Sequence, residues 1–268
     1  MTPANAPRVR GEAGSAILAR GRDKAVPCVE TMSEEYSIAI ETSCRTGGAA
    51  LGRGDQLLAT VPFDAAGRHT TQLLDHLDGL LRAGGLRPED LAEVYVSCGP
   101  GSFTGLRIGI TVARTLAQAL PGLRTVAVPT ASGVAAGARD LACEHLAVVM
   151  DYRDGEFFAA LFRKSGQLPI STAENGDCPD FPALVRAEEF LSRAPRPLVV
   201  LGEALEFVKL EAPGVTRGDP SLDLPAPEGV WRVGRRLARD GQFTDPPRLL
   251  PLYTRKPEAV RLWEKRKG

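Results

Sequence analysis

The sequence predicts an α/β protein made of two related halves, each a mixed sheet flanked by helices. Three observations carry that reading. Short apolar segments with the two-residue period of strands alternate with longer segments of helical period. The order strand, strand, strand, helix, strand, helix, strand, helix runs once and then restarts near residues 141–147. A hydrophobic content of 43% beside 25% charged residues gives a chain of 268 residues enough apolar side chain for a substantial core.

The elements follow in order. "YSIAIETS" alternates as a strand and stops at Ser43 and Cys44, and "GGAALGRGDQLLATVPF" gives two more strands around an Arg-Gly-Asp turn. "HTTQLLDHLDGLLRAGG" is helical, with Leu73, Leu77, Leu80 and Leu81 on one stripe and Gly84 and Gly85 closing it. "EVYVSC" is an apolar strand, residues 98–120 are a glycine turn and a helix, "TVAVPT" is a strand, and Ala131 to Leu141 reads as a helix. After the restart, "HLAVVMDYRDGEFFAALF" is a hairpin turning at Asp-Gly. "FPALVRAEEFLSRA" is expected to be helical, "PLVVLG" a strand, and "PEGVWRVGRRLARDG" a helix with Pro227 ahead of it and Gly241 behind. Residues 1–31, rich in Ala, Gly, Pro and Arg, read as a disordered leader, with Met32 as an alternative start. The halves then span 33–142 and 143–268, the second more degenerate and richer in loops.

Bulk composition excludes several classes. Lys plus Arg and Asp plus Glu balance at 33 each, so no global field draws nucleic acid or anionic membrane. No apolar run approaches the roughly 20 residues that span a bilayer. Five scattered cysteines without a Cys-x-x-Cys pair fit a reducing cytoplasm better than a disulfide frame or a zinc site.

The stretch "CGPGSFTGLRIGITVARTLAQAL" poses the functional question. Gly99, Gly101 and Gly105 allow close backbone approaches, Ser102 or Thr104 caps the helix, and Arg107 sits in its first turn. Such a turn suits an anion, and equally suits a plain strand-to-helix connection. In the helix, Gly105, Gly109, Ala113 and Ala117 recur every four residues as a nearly bare ridge, flanked by Ile108, Val112 and Leu116. Glycine at position 109 costs roughly 1 kcal/mol of helix propensity against alanine. A ridge of this kind receives either another molecule's helix or a segment of its own chain.

"IAIETS", "GRHTTQLL", "CGPGSFTGLRIG", "MDYRDGEFFAALF" and "PLYTRKPEA", in this order, give a sequence that resembles the TsaB (YeaZ) family over about residues 36–260. The wider group carries the labels Gcp-like and M22 glycoprotease-like. The resemblance implies a duplicated actin-like fold of ribonuclease-H type and a non-catalytic dimerization subunit of the bacterial machinery that makes threonylcarbamoyladenosine in tRNA. It implies the paralogue TsaD, which holds the metal and performs the transfer, and the ATPase TsaE as partners, and a homodimer in isolation. The helices of the first half would pair, which assigns Leu73, Leu77, Leu80, Gly105, Ile108, Gly109, Val112, Ala113 and Leu116 to a partner interface.

Residual activity is weighed on the same residues. The relative that binds metal uses two histidines four apart on a helix, whereas His69 and His76 here are seven apart and His145 is remote, so no metal site and no protease activity is expected. A stand-alone actin-like ATPase or kinase is the alternative reading. Its candidate nucleotide or anion contacts are Glu41, Thr42, Ser43, Gly99, Gly101, Ser102, Thr104, Arg107, Asp151 and Gly202. Glu41 is longer than the aspartate the family carries there, and no intrinsic cofactor is expected, with ATP or ADP at most shared at the interface with TsaD. Arg232, Arg235, Arg236 and Arg239 share one side of the last helix and are candidate tRNA contacts, or else a solvated basic face.

Overall fold

The structure is a computed structural model that describes residues 34–64, 69–165, 168–171, 181–255 and 263. The leader 1–31 and the basic terminus Lys265–Lys267 lie outside the described residues. Among the described residues eleven strands form two sheets with one topology. In the first, β1 (Tyr36–Glu41), β2 (Thr46–Arg53), β3 (Gln56–Asp64), β4 (Leu91–Gly99) and β5 (Arg124–Pro129) lie in the order β3-β2-β1-β4-β5. β1, β2 and β3 pair antiparallel, and β1, β4 and β5 pair parallel.

The second sheet repeats this plan. β6 (His145–Arg153), β7 (Glu156–Ser165), β8 (Leu168–Ser171), β10 (Leu198–Leu201) and β11 (Val215–Arg217) lie in the order β11-β10-β6-β7-β8, and β9 (Ala183–Arg186) also pairs with β7. Here too the first three strands are antiparallel and the remaining two join parallel to the first. The fold is therefore the duplicated, actin-like arrangement of two mixed sheets flanked by helices. The β6–β7 hairpin turns where the sequence placed it. Asp154 (φ 55°) and Gly155 (φ 84°) supply two successive positive φ values, as a two-residue hairpin turn of matching twist requires.

Helices α1 (His69–Ala83) and α2 (Phe103–Ala119) cover one face of the first sheet. Ile38, Ile40, Val94 and Val96 of the strands meet Leu73, Leu77, Leu80, Leu81, Ile110 and Ala113 of the helices in one core. Helix α3 (Thr130–Gly137) packs on the second sheet through Ala131, Val134 and Ala135, which join Leu146, Val148 and Phe158. The far face of that sheet is closed by Phe157, Phe181 and Phe190, whose rings meet edge to face at 5.7 and 5.9 Å.

Two elements depart from the sequence reading. Residues 181–194 are not one helix: strand β9 comes first and helix α4 (Ala187–Arg193) follows. Val185 lies opposite Phe157 in the ladder with β7, so an apolar run that fits helical spacing satisfies its backbone in the sheet instead. Helix α5 (Pro227–Arg239) follows the second sheet in sequence but packs on the first. Its Trp231 ring lies over Gly52, where any Cβ would overlap it, and Trp231 Nε1 donates to Ser37 Oγ at 2.9 Å. The small residues Ala39, Ala50 and Gly52 leave room for that ring.

Candidate functional site

The glycine turn between β4 and α2 is compressed by this chain's own segments. Ser102 N donates to Ser43 O at 2.6 Å, and Leu252 N donates to Cys98 O at 2.6 Å. A Cβ at Gly101 would overlap Ser43 O, and one at Gly99 would lie 2.6 Å from Leu252 O. Ser102 caps α2, its Oγ accepting from Gly105 N at 3.2 Å. Thr104 and Arg107 are exposed in the first turn, where the Arg107 guanidinium lies 5.0 Å from the centre of the Phe103 ring.

The bare ridge of α2 faces inward, which corrects its assignment to a partner interface. Gly105, Gly109 and Ala113 are buried. A Cβ at Gly105 would overlap Thr42 O, and one at Gly109 would overlap Thr42 Oγ1 and sit 3.3 Å from Val96. Thr42 Oγ1 in turn donates to Gly105 O at 2.8 Å. The ridge is bare because the end of β1 lies directly on the helix backbone. Leu73, Leu77 and Leu80 are likewise within the core at 0%, 5% and 3% exposure, so they form no outer surface.

What α2 presents outward is its other side. Ile108, Val112 and Leu116 are half-buried, and Phe103, Thr104, Arg107, Ile108, Thr111 and Val112 line a shallow concavity of about 330 Å³. Phe103 is half exposed and stacks on Tyr253 at 5.1 Å, while Leu74 of α1 and Leu252 are also exposed. Helix α2 carries Arg107 and Arg114 and no acidic residue, whereas α1 exposes Asp75 and Asp78. Sequence reasoning missed Phe103, Thr111 and Tyr253. The available signal was the side of α2 opposite the glycines, where Phe103 and Thr111 lie near Ile108 and Val112.

Of the candidate nucleotide contacts, Glu41, Thr42, Ser43, Asp151 and Gly202 lie about the carboxyl ends of β1, β6 and β10, where most of their polar groups are paired within the chain. Glu41 is fully buried, and its Oε1 accepts from Ser43 N at 2.5 Å and from Ser43 Oγ at 2.6 Å. Burial pushes the Glu41 carboxyl up to about 7, against the opposing hydrogen bonds from Ser43. Asp151 (φ 51°) accepts from Thr254 Oγ1 at 2.5 Å and lies 3.5 Å from Arg255 Nε. Gly202 N donates to Asp223 Oδ1 at 2.9 Å, and a Cβ at Gly202 would overlap Val149 O. At the rim, Arg45 pairs with Glu206 at 3.2 Å. Burial also raises the pKa of Glu203 there.

On the arginine face of α5, Arg235 is buried and paired within the chain, so the assignment to tRNA does not hold for it. That side chain is 10% exposed, donates to Asp55 Oδ1 at 2.9 Å and lies 3.6 Å from Glu93 Oε2. Arg232 pairs with Glu228 at 2.9 Å, and Arg239 lies 3.7 Å from Asp55. Arg236 also has an intramolecular interaction. Among the described residues no three of His, Cys, Asp and Glu come together as a metal site, and His76 stacks on Phe63 at 5.5 Å. No helix of the described residues is long and apolar enough to cross a membrane.

Residues 59–177 match the family described as TsaD, tRNA N6-adenosine threonylcarbamoyltransferase. The chain is 29% identical to the tRNA threonylcarbamoyladenosine biosynthesis protein TsaB of Bacillus subtilis, over 84% of this chain and 96% of that protein. It is 27% identical to the Escherichia coli protein of the same name, over 86% of this chain and 98% of that protein. The structure of YeaZ from Pseudomonas aeruginosa superposes with a TM-score of 0.68 at 23% identity, covering 82% of this chain and 99% of that one, and so shares the fold.

Proposed function

Taking as premise that this chain belongs to the TsaB (YeaZ) family, we propose that it pairs with TsaD through the outward face of α2. It is a partner subunit in the synthesis of threonylcarbamoyladenosine in tRNA, accessory to the transferase. The observation that carries the pairing is the division of α2 into a glycine face filled by β1 and an open face lined by Phe103, Ile108, Thr111 and Val112. A contiguous apolar concavity rimmed by arginine suits a partner helix with apolar and acidic residues. The exposed Asp75 of α1 gives the surface an acid to set against Arg107 and Arg114 of a second copy, Asp78 being paired with Arg82 of its own helix, so the same face forms a homodimer when TsaD is absent.

In this reading TsaE joins the assembly through TsaD, and tRNA is bound by the complex as a whole. ATP or ADP sits where this subunit meets TsaD, because Ser43, Asp151 and Gly202 of its own cleft are paired internally. The setting is the cytoplasm. The test is to mix this protein with TsaD and measure the mass of the complex with and without ATP. A one-to-one pair is expected, with the isolated protein showing no phosphoryl transfer. Turnover by the isolated protein that disappears in Asp151→Ala would replace this reading with the kinase one.

A further inference from the structure

After α5 the chain stays on the first sheet and then crosses to the second. Thr244 N donates to Thr125 O at 2.8 Å and Thr244 Oγ1 accepts from Ala127 N at 3.1 Å, which fixes the segment along β5. Leu249 is fully buried in the core of the first sheet, and Leu252 is held against the end of β4 by Cys98 O and Gly99. The next contacts belong to the β6–β7 hairpin. Thr254 Oγ1 donates to Asp151 Oδ2 at 2.5 Å. Arg255 Nη2 donates to Glu156 O at 3.0 Å and to Asp151 O at 3.3 Å, and its Nη1 donates to Glu156 Oε2 at 3.4 Å.

The hairpin is shaped to be gripped there. The β6–β7 ladder breaks register between Met150 and Arg153, and Asp151 within the break takes a left-handed φ of 51°. Such a break takes backbone groups out of the ladder, and Arg255 supplies their donor. The Arg255 side chain is only 14% exposed, whereas Arg45 and Glu206, which also pair across the halves, are 74% and 52% exposed and contribute little. Helix α3, on the second sheet, meets α5, on the first, through small residues, so that a Cβ at Gly229 would overlap Gly133 O. That contact lacks the interlocked side chains that resist rotation. We propose that residues 249–255 are a latch that holds the two halves closed at the carboxyl ends of β1 and β6, and that releasing Asp151 and Glu156 lets the halves swing apart about α3. The latch is independent of the partner assignment.

Two native thiols report on it. The carbonyl of Cys98 accepts from Leu252, and Cys44 lies on the turn whose Arg45 reaches Glu206 of the second half; both thiols are buried. Each protein is treated with N-ethylmaleimide at one pH and modification is followed by peptide mass spectrometry, with the half-buried Cys143 as reference. Arg255→Ala should speed modification of both Cys44 and Cys98 about 10-fold, with Cys143 unchanged. Thr254→Val keeps the side-chain shape, loses the bond to Asp151, and should speed both about threefold, which serves if Arg255→Ala does not fold. Arg235→Ala, which destabilises the chain away from the strap, should leave both rates near wild type. Acceleration of Cys98 alone, of neither thiol in a folded variant, or to the same extent in Arg235→Ala, would overturn the proposal.

Discussion

The two faces of α2 are built for different neighbours. On one, Gly105 brings the helix backbone against the carbonyl of Thr42, and Gly109 brings it against the side chains of Thr42, Ile40 and Val96, which leaves no space for another chain. On the other, Phe103, Ile108, Thr111 and Val112 carry full side chains around a concavity with no covering segment among the described residues. The residues that look specialised are thus specialised for the fold, and the docking surface is made of ordinary ones. Close packing marks where something fits tightly, and that something is the end of β1.

The comparison is broken most forcefully on the inner face. Gly109→Leu should cost more than about 4 kcal/mol, because a clash against β1 cannot be relieved by a rotamer change. Urea denaturation would show it, and a stable variant that merely lost its partner would return the ridge to the surface.

A buried charge on α5 comes next. Arg235→Ala should cost about 1–3 kcal/mol by removing the hydrogen bond to Asp55 and one of the two cations at Glu93, which keeps Arg124 at 2.7 Å, while Arg239→Ala, on a 62% exposed side chain, should cost under about 0.5 kcal/mol. Equal small effects on stability, with equal loss of tRNA binding by the complex, would restore the basic face as a contact.

Glu41 gives a prediction in pH. Its folded pKa of about 7 exceeds the ordinary 4.5, so folding favours the protonated acid. The stabilisation it brings is complete below about pH 4.5 and is lost as pH rises through about 7, a change on the order of 3 kcal/mol. Stability of the wild type relative to Glu41→Gln should therefore fall across that window and level off above it. Burial holds the neighbouring thiols of Cys44 and Cys98 up to about 12 and 11, so neither titrates in the same range. A difference between wild type and Glu41→Gln that stays flat with pH would mean the carboxyl is solvated or paired.

Much of the fold was legible because each element carries its own period. The β6–β7 hairpin announces itself through Asp154 and Gly155, and α1 through its leucines. The split at 183–194 was not, since Val185 and Phe190 fit a helical stripe as well as they fit β9 and α4. At the site, sequence could find the ridge and could not say which way it faced, because a bare helix face admits a strand end as readily as another helix. Arg235 read as surface for the same reason: Asp55, its partner, lies 180 residues away in the chain.

The most direct test places a charge on the outer face of α2 without touching the inner one. Ile108→Arg should leave the unfolding midpoint within about 1 kcal/mol of wild type, since position 108 is only half-buried, yet weaken binding to TsaD by about 100-fold or more. Titrating TsaD with each protein and recording the change in affinity decides the matter. Binding of Ile108→Arg at wild-type strength, with the variant fully folded, would contradict the assignment of this face to the partner.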